Sequence, residues 1–401
     1  MSPKHPYVGQ PDRQFWKKDP GVSTPRSFDP VSTLPFKLTR SDKIITAGSC
    51  FAQHIARVLS EENFTHFIAE TPHPMVSESL AKKHNYGLFS ARYGNIYTAR
   101  QLRQLFERAY GLFEPIASGW EMRDGSGVVD PFRPQIQPGG YRTQVELDLD
   151  RKQHLKAVRT ALESADVFVF TLGLTECWSD TRDGAVFPIA PGVAGGTYDP
   201  TTTEFKNFDE TETYADLHAA LEFARSKNPS LRIILTVSPV PLNATFEPRH
   251  VALSTTWSKA VLRIAAEKAT KAFDNCMYFP SYEVITSPQT RSRYYAEDRR
   301  EVTDQGVKHV MGLFFKHVTD DKPRRQSAAG KERGDRRVKP RLSGPNDRLH
   351  PGENEKNKQA RSEVNRPLAR AKGSTKHEEH AAKVEALNAL LCDEDLLDNS
   401  E

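Results

Sequence analysis

The sequence predicts an α/β protein built on a mostly parallel sheet with helices on both faces. Three observations point there. Four short apolar runs, residues 43–47, 167–172, 233–237 and 277–279, are bounded by Gly, Pro or polar residues and lack the alternation of a half-exposed strand, as expected of strands buried on both faces. Between these runs lie long stretches with apolar residues recurring three and four apart, the pattern of helices packing on a core. The first strand runs through a small-residue turn straight into a helical pattern, the joint of a parallel strand–helix unit.

The first 40 residues are rich in Pro, Lys and Asp with scattered aromatics (Tyr7, Phe15, Trp16, Phe28), and read as an irregular arm laid over a domain spanning 41–320. Within that domain the spacing predicts helices over 51–59, 99–109, 150–164, 213–228, 250–273 and 303–318. Two Gly- and Pro-rich intervals, 111–144 and 180–207, read as insertions over one edge of the sheet, since connections of that length are uncommon unless they carry function. Beyond Val318 the aromatics almost vanish, and 321–376 has the composition of a disordered basic linker. The remainder, 377–401, is acidic; Val384, Leu387 and Leu391 fall on one helical face, which reads either as a short amphipathic helix that docks on a protein partner or as a frayed tail.

The 401 residues are 37% hydrophobic and 27% charged, the balance of a soluble chain. No run of about 18 apolar residues appears, and the N-terminus lacks the apolar core of a secretory signal. The expectation is a cytoplasmic protein with no membrane contact. The net charge of +4 conceals a polarised tail, basic over 322–376 and acidic over 377–401. The basic stretch has no interleaved aromatics to stack on bases, so it reads as a solvated tether and not as a nucleic-acid contact. Cys50, Cys177, Cys276 and Cys392 show neither CxxC spacing nor a nearby histidine pairing, which leaves four free thiols and gives no reason to expect a metal or another cofactor.

Residues 44–55 read IITAGSCFAQHI. A strand ending in such a turn lifts a hydroxyl or thiol above the sheet edge, beside the free N–H groups of a helix start. Ser49 is therefore a candidate nucleophile, and Ser is also a common helix cap. Cys50 beside it is either a small core residue or a nucleophile that needs less help from a base. Four more stretches are candidates to accompany the turn: RYGNIYTARQL from Arg92, FVFTLGLTECW from Phe168, LTVSPVP from Leu235 and YYAEDRREVTDQGVKHVM from Tyr294. Three directly follow an expected strand, and loops at the carboxyl ends of parallel strands converge where ligands bind.

At Gly48, Ser49, Cys50, Phe51 and Ala52, with the GNIYT, TLGLTE and SPVP stretches, residues 34–318 resemble the GSCFA family, placed in the SGNH/GDSL hydrolase superfamily. The resemblance implies a three-layer α/β/α sandwich with a flavodoxin-like sheet. It also implies a nucleophilic serine after the first strand, oxyanion donors in a second and third block, and a late Asp-x-x-His supplying the base. Gly94, with Asn95 beside it, matches the second block. Gly173, Leu174, Thr175 and Glu176 align with the third block's Gly-x-Asn-Asp, which puts Thr175 at the oxyanion-binding asparagine. Aligned on Asp298 and Gly306, the last block puts Glu301 where the histidine stands. A carboxylate with an ordinary pKa near 4.3 serves there only if burial raises it by a few units. His309, one helix further on, replaces it only if that helix faces the turn; Glu176 and Asp298 either orient a base or bond to nearby arginines and amides. Laid without a gap on the superfamily's Gly-Asp-Ser, Gly-Ser-Cys makes Cys50 the nucleophile. The function implied is an esterase or acyltransferase acting on O-acyl groups of a carbohydrate or small metabolite through a covalent acyl-enzyme. The alternative is a non-catalytic binding protein of the same fold, holding a glycan or a protein partner.

Overall fold

The computed structural model describes residues 5–320 and 392–399. The basic stretch 321–376 and the amphipathic pattern up to Leu391 lie outside the described residues. In chain order the elements are β1 (Ile44–Gly48), α1 (Phe51–Glu61), α2 (Glu78–Lys83), α3 (Ala99–Ala109), β2 (Trp120–Glu121), β3 (Val128–Val129), α4 (Gln144–Ser164), β4 (Val167–Leu172) and β5 (Glu176–Asp180). There follow β6 (Val186–Phe187), β7 (Thr203–Asn207), α5 (Glu210–Lys227), β8 (Arg232–Val237), α6 (Val251–Ala272), β9 (Cys276–Tyr278), α7 (Ser281–Thr286) and α8 (Asp304–Val318).

The central sheet is parallel in the order β1-β4-β8-β9. Every residue of β1 and β4 is buried, because the two faces are covered by different helices. Ile45, Phe168, Phe170 and Leu235 pack under α3, α4, α5 and α6. Ile44, Val167, Val169 and Ile234 pack against α1, α7 and α8, together with Val31 and Leu38 of the N-terminal arm. The result is the expected three-layer α/β/α sandwich.

Beyond β1 the chain adds a rudimentary fifth position. Ile44 donates its N–H to Thr65 O and accepts from Phe67 N, so His66 makes a single parallel bridge to the sheet. Counting it, the spatial order is 2-1-3-4-5, the flavodoxin-type order, whose ligand crevice opens between the first and third positions. Here that switch point lies between the carboxyl ends of β1 and β4.

The long intervals are not bare loops. The first holds the β2–β3 hairpin, and the second joins β5 in an antiparallel sheet of order β6-β5-β7. The helix α4 begins at Gln144, six residues before the spacing predicts. Its first turns carry exposed Val145 and Leu149 and so show no apolar stripe, but the Thr143 side chain accepts from Glu146 N and starts the helix. No helix among the described residues is long and apolar enough to cross a membrane.

A buried ion network fixes the segment before Gly94. Arg92 reaches Asp150 at 2.9 Å, and its backbone N–H donates to Glu70. Arg133 bonds both Asp130 and Asp150 at 2.9 Å, and His154 Nδ1 lies 2.8 Å from Glu70. Removing one partner of a buried pair strands the other charge. Arg133→Met is expected to cost about 3–5 kcal/mol in chemical denaturation, since Asp130 is fully buried; a loss below about 1 kcal/mol would mean that Arg151 and Arg108 suffice to neutralise Asp130. The carboxyls of Asp130, Glu70 and Asp150 are held below their ordinary range against the burial that opposes this, Asp130 and Asp150 chiefly by Arg133 and Glu70 chiefly by His154. Their contribution to stability is present above the unfolded carboxylate range and is lost as pH falls through the lowered folded values.

Candidate active site

Glycine at position 48 is dictated by the backbone. Gly48 has φ +135°, and a Cβ there would lie 2.2 Å from the Thr171 carbonyl oxygen. Its absence lets the turn press on β4, with Ser49 N donating to Thr171 O at 3.2 Å. The other two blocks are laced to it through the main chain. Gly48 O accepts from Ile96 N at 2.8 Å, and Tyr97 O accepts from the N–H groups of Gly173 and Leu174 at 2.9 and 3.1 Å. Gly173 is needed for that approach, since a Cβ there would meet the Ser49 Cβ at 3.0 Å and the Tyr97 Cα at 3.1 Å. Gly94, at φ +69°, turns the second block over the end of β1.

The site residues expected from the sequence are distributed as follows. Ser49 is buried, and its Oγ has no hydrogen-bond partner among the described residues. Cys50 is buried at the first position before α1, with no capping bond from its side chain. Gln53 Nε2 donates to Asn95 Oδ1 at 3.2 Å, which fixes the amide of Asn95 with its Nδ2 toward the cleft. The Thr175 hydroxyl donates to Asn207 at 2.7 Å, and its backbone N–H donates to Ser258. Glu176 accepts from the Thr245 hydroxyl and from Phe246 N, and burial raises its pKa. It borders an apolar groove of about 180 Å³ walled by Trp178, Phe205, Phe246 and Leu242.

The last block splits. Asp298 accepts from the N–H groups of Arg300 and Glu301, and both Asp298 and Glu301 are exposed. Arg300 between them enters the cleft instead. His309 Nδ1 lies 2.7 Å from the Tyr294 hydroxyl, in a different cavity bordered by Arg26 and Lys308. The structure therefore brings Gly48, Ser49, Cys50, Gly94, Asn95 and Gly173 together, with Thr175 and Glu176 on the adjoining wall. It does not join His309 or Glu301 to them.

Lys259 of α6 is a residue the sequence reading missed. Its side chain is buried, Nζ donates to Gly173 O at 2.6 Å, and burial lowers its pKa to about 8 while the charges of Glu394 and Cys50 oppose the shift. A signal existed: Lys259 shares the buried helical face of Leu262 and Ala266, where a lysine is out of place. Among the described residues no cluster of His, Cys, Asp and Glu is arranged to hold a metal ion.

The terminal segment, a 3-10 turn over Asp393–Asn399, closes the cleft. Asp393 N donates to the Tyr97 hydroxyl at 3.0 Å, while its carboxylate accepts from Asn95 and Gln135, each at 3.0 Å. Glu394 accepts from Asn243 N at 3.1 Å and pairs with Arg300 at 2.9 Å; Arg300 also pairs with Asp395 at 2.8 Å. Cys392 neighbours the Cys50 thiol and lies 3.6 Å from Arg300 Nη2. Within this thiol pair the neighbouring Cys50 and Arg300 hold Cys392 below its ordinary pKa, whereas the neighbouring Cys392 and burial push Cys50 up. Burial also raises Asp393 to about 6.

No curated protein matches the sequence. Among solved structures, the chain is similar to the Clostridium thermocellum family 3 carbohydrate esterase at 11% identity and a TM-score of 0.29, over 69% of this chain and 94% of that one. The family model described as the GSCFA family matches residues 43–314, well over half of the chain, around the interlaced turn, second block and third block described above, and the protein belongs to the GSCFA family.

Proposed function

We propose that the protein is an esterase or acyltransferase working through a covalent acyl-enzyme at the β1–α1 turn, with Cys50 as nucleophile. One observation carries the reading: the buried Lys259 amine bonds Gly173 O at 2.6 Å, and Gly173 packs against Ser49, so an amine sits beside the β1–α1 turn that bears Cys50. A lysine whose burial favours the neutral amine is a competent general base near neutral pH. With Lys259 neutral, the Cys50 proton passes to its amine and the thiolate adds to the acyl carbonyl. The Asn95 amide, held by Gln53, and the N–H groups at the start of α1 would receive the oxyanion. The proton on Lys259 then leaves with the alcohol, and water or a second alcohol takes up the acyl group.

Among the described residues the Ser49 hydroxyl has no acceptor for its proton, which supports the thiol over the hydroxyl. Asn207 engages the Thr175 hydroxyl, so Thr175 and Glu176 would shape the wall of the apolar groove, the place for the acyl group of a carbohydrate or metabolite ester. That no histidine among the described residues is bonded to Ser49 or Cys50 supports the rival reading of a binding protein.

The test uses the full chain carrying Asp393→Ala and Glu394→Ala, which loosens the terminal segment. A thiol-directed acyl probe and a fluorophosphonate are applied with and without Cys50→Ala or Ser49→Ala. Labelling by the acyl probe is expected to vanish in Cys50→Ala and persist in Ser49→Ala. Equal background labelling in all three chains, with no ester turnover, would make this a binding protein.

A further inference from the structure

The cleft around Cys50 is a built recognition site, and residues 392–397 of the chain itself occupy it. Five side chains from four separate segments, Asn95 and Tyr97, Gln135, Asn243 and Arg300, bond the backbone or carboxylates of Cys392, Asp393 and Glu394. Asp393 is 2% exposed, and both of its carboxylate oxygens and its N–H are satisfied. A carboxylate is buried this way only when its partners are preplaced, because stranding it costs several kcal/mol. Further along, Leu396 and Leu397 pack against the cluster of Trp120, Phe132 and Phe187, and Leu397 also enters the apolar groove. Acidic side chains on cationic and amide donors, followed by leucines on an apolar groove, form one contiguous match. The match also reaches the nucleophile, since Cys392, placed by Arg300 Nη2 at 3.6 Å and by the Tyr97 hydroxyl at 4.0 Å, is a neighbour of the buried Cys50 thiol.

We propose that this cleft is a recognition site for an acidic Cys-Asp-Glu peptide, that the chain's own terminus 392–397 is its ligand, and that this terminus shields Cys50 until it is displaced. The docking stands independently of the acyl-transfer reading; only the consequence that docking blocks turnover rests on it. Arg300 and the amide donors form a complement for acids that no other described segment fills.

The experiment uses the full chain and two readouts that need no catalysis. Diamide takes up one hydrogen from each of two thiols in contact and becomes a hydrazine as their S–S bond forms. Peptide mass spectrometry without reduction is expected to find Cys50 linked to Cys392. Alkylation of Cys50 by iodoacetamide is expected to be slow in the wild type and faster by about tenfold or more in the Asp393→Ala/Glu394→Ala chain, the scale set by losing two buried charge-assisted contacts. A synthetic Cys-Asp-Glu-Asp-Leu-Leu peptide with its thiol blocked as the methyl thioether is expected to restore protection to that chain. Asp393 and Glu394 are packed in the same compact unit as the sheet, so a cooperative thermal unfolding transition in the variant is the control that the sheet and its helices stay folded when the segment is released. Equal alkylation rates in the two chains, or Cys392 linked mainly to other thiols, overturns the proposal. Released chains that alkylate quickly but turn over no ester leave the docking standing and sink the enzyme reading. Wild type that turns over ester at the rate of the released chain does the reverse.

Discussion

Gly48→Ala is expected to yield little or no folded protein, the largest stability effect of any single methyl group in the site. The new Cβ would lie 2.2 Å from the Thr171 carbonyl oxygen and 2.8 Å from the Thr171 Cβ, atoms of a central strand with no room to retreat. The residue also holds φ +135°, a conformation open to glycine and rarely adopted by other residues. The overlap and the backbone strain together exceed about 4–5 kcal/mol, against a whole-domain stability of roughly 5–15 kcal/mol. Gly94→Ala is the control. It too has a positive φ, but its nearest neighbour would be the Arg133 Cα at 3.9 Å, so it is expected to lose only the left-handed penalty of about 1–2 kcal/mol. Soluble yield and thermal unfolding of the two variants check the contrast. A Gly48→Ala protein within about 1 kcal/mol of wild type would mean that the turn can move away from β4, and the geometry of the whole site would have to be redrawn.

The same close approach explains which parts of the molecule were legible in the sequence. The run Val167–Leu172 reads as a strand because burial on both faces leaves an uninterrupted apolar signal. Gly48-Ser49-Cys50 reads as a site because it needs small residues where a strand gives way to a helix. The edge at His66 escapes notice because one bridge leaves no periodicity. The β5–β7 pairing escapes notice too, since it joins Glu176–Asp180 to a segment across a long Gly- and Pro-rich interval.

Within the site, the last block illustrates how alignment and geometry diverge. Counting from Asp298 leads to Glu301, but Asp298 caps its own turn and Arg299 adopts φ +60°. That backbone carries Arg300 into the cleft and leaves Glu301 exposed. A one-residue change in which side chain faces inward replaces a presumptive base with an anion-binding cation. The terminal segment was legible only as charge: its acidity was visible, but the complementary Arg300, Asn243 and Gln135 come from loops that the fold alone brings together.

Lys259→Met is expected to make the protein more stable at neutral pH and, in the chain with the loosened terminus, to reduce ester turnover by about 10²–10⁴-fold, the range for removing a general base. Both effects follow from burial. Lys259 has a folded pKa lowered from 10.5 to about 8, so the folded state disfavours the charged amine. Between those values the unfolded chain holds a proton that the folded chain has released, and stability therefore rises with pH across that window. Below about pH 8 both states are protonated, and the folded state bears the full penalty of roughly 3 kcal/mol. Methionine has nearly the same shape and no charge. It removes that slope, and it returns most of the penalty less about 1 kcal/mol for the lost bond to Gly173 O. For the reaction the sign runs through the free base: kcat/KM is expected to rise with pH as the amine loses its proton and to level off above about 8. In the chain with the loosened terminus, Glu394 no longer favours the charged amine, which moves that limb toward lower pH. Lys259→Arg separates the roles, since a guanidinium keeps the charge and a donor for Gly173 but never becomes neutral. If Lys259 is the base, the arginine chain is as slow as the methionine chain and has lost the limb. If the arginine chain retains both rate and pH profile, Lys259 only positions Gly173, and the proton from Cys50 must go elsewhere.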